Sequence, residues 1–125
     1  LAGAPLQAKG LKSLVTFKSL RLLVLGRTSL TDEAVEELAK TGMRIEELSI
    51  EENPKITDDS LKAIGEWDGV KMLLAERTRV TDSGLKYLLK TKNLKEVRLG
   101  NARITVKGAA DFARQRPDIK VDMSW

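Results

Sequence analysis

Apolar residues recur along this chain in one order that is repeated four times. Each copy opens with an apolar residue and an alternating apolar pair, passes a polar turn and one more apolar residue, and closes with an apolar pair three residues apart. In the first copy these positions are Leu20, Leu23, Leu25, Leu30, Val35 and Leu38. The copies begin at residues 20, 45, 70 and 94, so successive starts are 25, 25 and 24 residues apart. A fixed period of this length is typical of stacked units that pack only against their neighbours.

Each copy predicts one short β-strand followed by one helix. Alternation of apolar and polar residues places side chains on opposite faces of a strand, whereas a spacing of three places them on one face of a helix. We expect parallel strands near 22–25, 47–50, 72–75, 96–99 and 120–123, and helices near 32–40, 58–65, 82–90 and 106–115. In the shorter units a 3₁₀ turn is the alternative to an α-helix. Because a strand is narrower than a helix, the stack should curve with its strands on the inside.

Polar residues at fixed places in the repeat predict its turns and helix starts. The residue after each turn is expected to hydrogen-bond backbone groups that no strand satisfies. These residues are Thr28, Asn53 and Thr78. A Thr-Asp pair then begins three helices, with the threonine as N-cap and the aspartate beside the positive end of the helix dipole. The predicted N-caps are Thr31, Thr57 and Thr81.

Departures from the repeat are also informative. Pro54 marks one extra residue in the second turn, which indicates a local bulge. Gly84 and Gly108 fall in predicted first helical turns and indicate close packing beneath the preceding repeat. In the fourth copy Val106 stands where the aspartate stood, as is typical of a terminal unit.

The chain is predicted to be one domain, 1–125, made of a partial repeat (1–19), four repeats (20–44, 45–69, 70–93 and 94–117) and a capping strand (118–125) in which Trp125 covers part of the edge. Since the first unit lacks most of its strand, we expect a fragment of a longer protein. Adding the missing strand should bury Leu1, Leu6 and Leu11 and stabilise the array. Self-association at this N-terminal edge is the alternative way to cover it.

Composition narrows the classes of function. There is no cysteine and no histidine, so thiolate metal sites, disulfides and the commonest general base are excluded. We therefore predict no enzyme activity, no catalytic residues, no metal and no cofactor. The Asp58-Asp59 and Glu51-Glu52 pairs are assigned to a helix start and a strand edge. The cellular compartment is left undetermined.

Net charge is +4 and is unevenly distributed, because residues 1–62 carry 9 basic and 10 acidic side chains and residues 63–125 carry 13 and 8. Aromatic residues make up only 4%, too few for a base-stacking surface, so nucleic acid is not the predicted partner. No apolar stretch is long enough for a membrane span.

With its motifs in place, the chain resembles leucine-rich-repeat proteins of the subgroup whose helices start with Thr-Asp. The segment Asn53-Pro54-Lys55-Ile56-Thr57-Asp58 is similar to the cysteine-containing, F-box-associated form, and the segment from Gly26 to Asp32 is similar to bacterial arrays. The resemblance implies an α/β solenoid with a parallel sheet on the concave side and helices on the convex side. It also implies a binding role without catalytic residues. No F-box segment is present, so a ubiquitin-adaptor function does not follow.

The predicted function is that of a protein- or peptide-binding module that uses the concave strand face. Aligning the repeats gives four rows of outward residues on that face. The first row is Leu22, Glu47, Met72 and Glu96, and the second is Val24, Ser49, Leu74 and Arg98. The third row is Gly26, Glu51, Glu76 and Gly100, and the fourth is Arg27, Glu52, Arg77 and Asn101.

Two features of these rows indicate a partner-binding site. Four residues form an exposed apolar patch, namely Leu22, Val24, Met72 and Leu74. An acidic bar should favour a partner with basic residues, and it consists of Glu46, Glu47, Glu51 and Glu52. The predicted partner-contacting residues are Leu22, Val24, Glu47, Ser49, Glu51, Glu52, Met72, Leu74, Glu76 and Arg98.

Two other interpretations stay open at this point. The patch can be covered by an adjoining segment of the parent protein or by a second copy of the chain. Alternatively, the array is a structural spacer or accessory domain with no binding role of its own.

Overall fold

The computed structural model describes residues 22–67 and 69–123. In this part of the chain, five strands and four helices alternate from β1 to β5. The strands are β1 (Leu22–Val24), β2 (Glu47–Ser49), β3 (Met72–Leu74), β4 (Glu96–Arg98) and β5 (Lys120–Asp122). The helices are α1 (Asp32–Lys40), α2 (Asp58–Gly65), α3 (Asp82–Leu88) and α4 (Val106–Gln115). The strands form one parallel sheet in sequence order, so each repeat adds one strand beside the preceding one.

This architecture confirms the predicted α/β solenoid, with its sheet on the concave side and its helices on the convex side. Each strand ends one residue before its predicted end, although the hydrogen-bond ladder continues, as when Leu25 N–H donates to Ser49 O at 2.8 Å. The third helix is shorter than predicted and ends at Leu88. All four described helices are α-helices, so the 3₁₀ alternative is wrong for them.

The predicted inward positions form the core. Those from Leu23 to Phe112 in the described residues are at most 8% exposed, whereas Val121 and Met123, the inward positions of the predicted last strand, are half-buried. Complete burial of one such side chain stabilises the fold by about 1.5–3 kcal/mol before entropy is counted. The sequence pattern did not assign Trp67, which is also buried and whose Nε1–H donates to Met43 O at 2.6 Å.

Asn53 satisfies the backbone where two turns meet. It is fully buried, and its amide nitrogen donates to the carbonyls of Leu25, Ile50 and Glu51 at 2.9, 2.9 and 3.1 Å. Its amide oxygen accepts from the peptide N–H groups of Thr28 and Leu30 at 3.1 and 3.0 Å. The predicted role of the residue after the turn is thus confirmed, and in Asn53 it extends to the neighbouring repeat.

The aspartate of each Thr-Asp pair also binds the next repeat. Asp58 accepts from Thr81 N–H and Oγ1–H at 2.7 and 2.5 Å, and Asp82 accepts from the same groups of Thr105 at 2.8 and 2.6 Å. Asp32 binds Thr57 in the same way. The aspartates therefore join successive helix starts, in addition to facing the dipole of their own helices.

The threonines cap their helices in three of four cases. The side chains of Thr31, Thr57 and Thr105 accept from peptide N–H groups of the first helical turn. Thr81 is the N-cap residue of its helix, as predicted, but its side chain accepts no cap hydrogen bond; its hydroxyl donates to Asp58. The hydroxyl is still satisfied, but by the preceding repeat.

Glycine provides room for the aspartate ladder, by which we mean the hydrogen bonds that Asp32, Asp58 and Asp82 accept from the threonine of the next repeat. A Cβ at Gly84 would overlap the Asp58 carboxylate and Leu61, and a Cβ at Gly108 would overlap the Asp82 carboxylate. The packing predicted for both glycines is confirmed. At the equivalent place in the second repeat, Ser60 instead donates its hydroxyl to Asp32 at 2.5 Å.

The last described unit departs from this pattern. Val106, at the place where the other helices begin with aspartate, is 85% exposed. Arg116 joins this unit to the one before, since its Nη1 donates to the carbonyls of Leu89 and Thr91 at 2.7 and 2.8 Å. Its guanidinium also holds Asp118 and lowers the pKa of that carboxyl to about 2. The sequence pattern did not indicate this link.

Some predictions fall on residues outside the description. They are the partial repeat 1–19, the burial of Leu1, Leu6 and Leu11, and the covering role of Trp125. The proposed repeat boundaries, 20–44, 45–69, 70–93, 94–117 and 118–125, stay predictions.

Candidate functional site

Sheet register places the predicted rows side by side on the concave face. Leu22 pairs with Glu47, Glu47 with Met72 and Met72 with Glu96, which is the predicted first row. The second row pairs Val24, Ser49, Leu74 and Arg98 in the same manner. Strand β5 adds Lys120 and Asp122 to these rows, and neither was included in the predicted site.

The apolar patch is accessible, although unevenly. Leu22 is 51% exposed and Val24 41% exposed, whereas Met72 and Leu74 are half-buried. Side chains of this size on a water-facing strand surface usually need a contact to cover them. The most exposed apolar area therefore lies at the β1 side of the described sheet.

Ser49 lies on the predicted face but is not accessible to water. It is only 4% exposed, because it is a small residue between the larger side chains of Val24 and Leu74 in the second row. Its Oγ is buried without a hydrogen-bond partner among the described residues. A buried hydroxyl in this state costs free energy.

The third and fourth rows continue the ladder beyond the strands. Glu52 N–H donates to Glu76 O and Arg77 N–H to Gly100 O, both at 2.9 Å. The residues of the fourth row have left-handed backbone angles, with φ of 56–57° at Arg27, Glu52, Arg77 and Asn101. Each such non-glycine residue costs roughly 1 kcal/mol. The turn geometry thus holds four polar side chains at fixed points along one edge of the face.

Half of the predicted acidic bar is paired within the protein. Glu52 accepts from Arg27 Nε at 2.5 Å and lies 3.7 Å from Arg77 Nη1. The hydrogen bond from Arg27 lowers the pKa of Glu52. Glu46 lies 3.4 Å from Lys71 Nζ. The acidic bar is therefore weaker than the sequence indicated.

Glu47 and Glu51 are the other two members of the bar. No ion pair within 4.0 Å joins either of them to a described residue. Glu47 is exposed in the first row and Glu51 is half-buried in the third.

Glu76 differs from the other carboxylates of the face. It is half-buried, and its Oε1 is buried without a hydrogen-bond partner among the described residues. Burial raises the pKa of Glu76, and the charges of Glu51 and Asp122 raise it further. The peptide N–H of Glu76 and the Arg98 guanidinium act in the opposite direction. Arg98 itself donates to Glu96 at 3.0 Å.

The convex face carries shallow grooves between helices. One groove of about 300 Å³ lies between α1 and α2, and its charged lining contains Lys40, Asp59 and Lys62. Lys90, which follows α3 on the convex face, lies 3.4 Å from Glu66.

Among the described residues no cluster of three or more acidic, histidine or cysteine side chains could hold a metal ion. None of the described helices combines the length and apolarity that a membrane crossing needs.

Comparison with known proteins identifies the fold. No protein-family model matches the sequence, and no curated protein matches it significantly. Among solved structures, the actin-binding site 2 of leiomodin-1 has a TM-score of 0.73 at 16% identity, over 98% of this chain and 82% of that one. The C-terminal domain of tropomodulin from Caenorhabditis elegans has a TM-score of 0.71 at 16% identity, over 96% of this chain and 84% of that one.

At this identity the comparisons show the fold alone. The chain has a leucine-rich-repeat-type fold, which confirms the resemblance drawn from the sequence. The narrower similarity to F-box-associated and bacterial arrays stays a prediction.

Proposed function

We propose that this chain is a protein- or peptide-binding module and that its concave face contacts the partner. The observation that carries the proposal is the apolar patch, with Leu22 and Val24 exposed beside Glu47 and Glu51, two carboxylates that form no ion pair with a described residue. An apolar centre with a charged rim is the usual composition of a protein interface. Such a face favours a partner with apolar side chains and nearby lysine or arginine.

Two further observations support a binding role. The similar leiomodin-1 structure is itself named as an actin-binding site, so a solenoid of this shape serves protein binding elsewhere. The described face offers carboxylates, hydroxyls and guanidinium groups but no nucleophile held by a base, which disfavours an enzyme. Nucleic acid is disfavoured because the exposed apolar residues of the face, Leu22 and Val24, are aliphatic and offer no aromatic surface for base stacking.

The test is a selection of phage-displayed random peptides on three forms of the purified chain. The first is the unchanged chain and the second carries Leu22→Asp and Val24→Asp. The third carries Tyr87→Asp and Val106→Asp, which change two exposed residues on the helical side and serve as the matched control. Circular dichroism and urea midpoints establish that all three forms are folded.

We expect the unchanged chain and the control to enrich one shared peptide motif that combines apolar and basic residues. The Leu22/Val24 variant should lose it, because charged side chains would replace the apolar contact. Enrichment of the same motif on that variant would place binding on another face. Absence of any motif on the unchanged chain would favour the structural-spacer alternative.

A further inference from the structure

The turns that join strands to helices carry one basic side chain in each of three successive repeats. Each lies one residue before the buried apolar residue that follows the turn. We name these three residues, Lys55, Arg79 and Arg103, the basic row. Arg79 N–H donates to Ile56 O at 2.8 Å, and Arg103 N–H donates to Val80 O at 3.0 Å. The backbone of each arginine is therefore bonded to the residue that follows the preceding member of the row.

The basic row holds no carboxylate of the described chain. All three residues are exposed, and no ion pair within 4.0 Å joins any of them to a described residue. Other arginines differ, since Arg98 lies 3.0 Å from Glu96 and Arg116 lies 2.8 Å from Asp118. Like charges at neighbouring places of adjacent repeats repel each other, and an anion bound to the row would relieve this repulsion.

Carboxylates on both sides make the positive strip narrow. On the helix side, Asp58 and Asp82 each follow a member of the row by three residues and accept hydrogen bonds from threonine. On the strand side, Glu52 pairs with Arg27 and lies 3.7 Å from Arg77. A duplex nucleic acid or an anionic membrane would bring its phosphates against these carboxylates as well as against the row. A single extended chain, by contrast, can follow a strip that is one side chain wide.

The step along the row suits alternate residues of an extended peptide. Parallel strands lie about 4.8 Å apart and packed helices about 8–10 Å apart. The basic row lies between the strands and the helices, so its step falls between these two distances. In an extended peptide, residues two apart project to the same side at about 6.4–6.8 Å, which is within that interval.

We propose that the basic row binds an extended segment of a protein partner that has acidic residues at alternate positions. Arg79 and Arg103 would each hold one carboxylate through two parallel N–H···O hydrogen bonds, and Lys55 would hold a third as a compact charge. Single-stranded nucleic acid suits the row less well, because the turns that carry it contain no aromatic residue for base stacking. This surface lies on the turns and does not depend on the apolar patch of the concave face.

The experiment titrates the peptide Glu-Ser-Glu-Ser-Glu, with both termini blocked, into the ¹⁵N-labelled chain at low ionic strength and follows amide chemical shifts. Its isomer Ser-Glu-Glu-Glu-Ser has the same charge in a contiguous block, and a thymidine oligonucleotide with three phosphates is the parallel arm. We expect saturable shifts at Lys55, Arg79 and Arg103, with the alternating peptide binding most tightly. Absence of saturable shifts there would overturn the proposal. Equal binding of the isomer would overturn the alternating arrangement, and tighter binding of the oligonucleotide would overturn the assignment of the partner.

Three variants test the contribution of the arginines. Arg79→Gln with Arg103→Gln should weaken binding of the alternating peptide about tenfold, the factor that corresponds to about 1.4 kcal/mol over two exposed ion pairs. Arg79→Lys with Arg103→Lys keeps the charge but loses the paired N–H donors, and should weaken binding about threefold. Unchanged affinity in this lysine variant would overturn the paired hydrogen-bond geometry.

The matched control is Lys62→Gln with Lys86→Gln, which removes the same net charge from exposed places on α2 and α3. Its affinity for the peptide should stay within about twofold of the unchanged chain, since distant surface charges are screened. All variants keep the backbone N–H groups, and urea midpoints establish that they are folded. Equal weakening in the glutamine variant and in the control would mean general charge attraction and would overturn the site.

Discussion

Replacing Gly108 with alanine should have two effects of opposite sign on the free energy of unfolding. Gly108 is in the first turn of α4, where alanine favours the helix by about 0.5–1 kcal/mol over glycine. A Cβ at this place, however, would overlap the Asp82 carboxylate, whose atoms are its three nearest neighbours. The Asp82 carboxylate would then lose the hydrogen bonds that it accepts from the Thr105 N–H and hydroxyl at 2.8 and 2.6 Å.

The two hydrogen bonds decide the sign. A buried hydrogen bond to a charged acceptor contributes about 1.5–3 kcal/mol to stability. This site is exposed, so water replaces much of each lost bond, and the two losses together should cost about 2 kcal/mol. Gly108→Ala should therefore lower the free energy of unfolding by about 1 kcal/mol after the helix gain is subtracted. In an Asp82→Ala background the overlap is gone, and the same change should stabilise by about 0.5–1 kcal/mol.

The assay is urea unfolding of the four proteins in this cycle, followed by circular dichroism, with the m-value compared throughout. We expect a coupling of about 1.5–2 kcal/mol between the two positions. Gly108→Ser is a useful fifth protein, since Ser60 keeps a hydroxyl contact with Asp32 at the equivalent place. It should cost less than Gly108→Ala despite its weaker helix propensity. Equal stabilisation by Gly108→Ala in both backgrounds would refute the packing argument.

Four other changes test separate features, each by urea unfolding. Asn53→Asp keeps the shape but removes the donors to three carbonyls, and should lower the free energy of unfolding by about 3–4 kcal/mol; a loss below 1 kcal/mol would contradict the role of the turn amide. Arg116→Ala releases two carbonyls of the preceding repeat and should cost about 2–3 kcal/mol. The contribution of Asp118 should be present above pH 3.8 and disappear as pH falls towards its folded pKa of about 2, so that wild type and Asp118→Asn converge over that range. Because the folded pKa of Glu76 is raised, its ionisation destabilises the fold as pH rises above 4.5. Glu76→Gln should therefore be more stable than wild type at pH 7 and lose that advantage at pH 4.

Much of the candidate site follows from the sequence because strand pairing preserves the repeat register. Once the strands stack one per repeat, Leu22, Glu47 and Met72 must be neighbours, and the structure places them so. The predicted rows stopped at the fourth repeat and so left out Lys120 and Asp122, although a strand was predicted at 120–123. The alternation of Ile119, Val121 and Met123 was enough to extend the rows to that strand.

The charge of the face could not be obtained in this way. In the sequence, Glu51 and Glu52 are two adjacent and equivalent carboxylates. In the structure, the left-handed backbone conformation of Glu52 directs its side chain to Arg27 and Arg77. Glu51, one residue earlier, makes no ion pair within 4.0 Å with a described residue. Two adjacent glutamates thus differ in their ion pairing, because the backbone angle at Glu52 points its side chain in another direction from that of Glu51.

The sequence by itself determined the period, the order of strand and helix, the inward residues and the rows of the concave face. These depend on local alternation and on a register that any parallel stack must keep. Only the tertiary structure decided which polar groups find partners. The hydrogen bonds between Asp58 and Thr81 and between Arg116 and Leu89 depend on distances between different repeats, and so does the burial of Ser49 Oγ and Glu76 Oε1 without a partner among the described residues. Side-chain atoms separated by more than twenty residues meet only after the stack has formed.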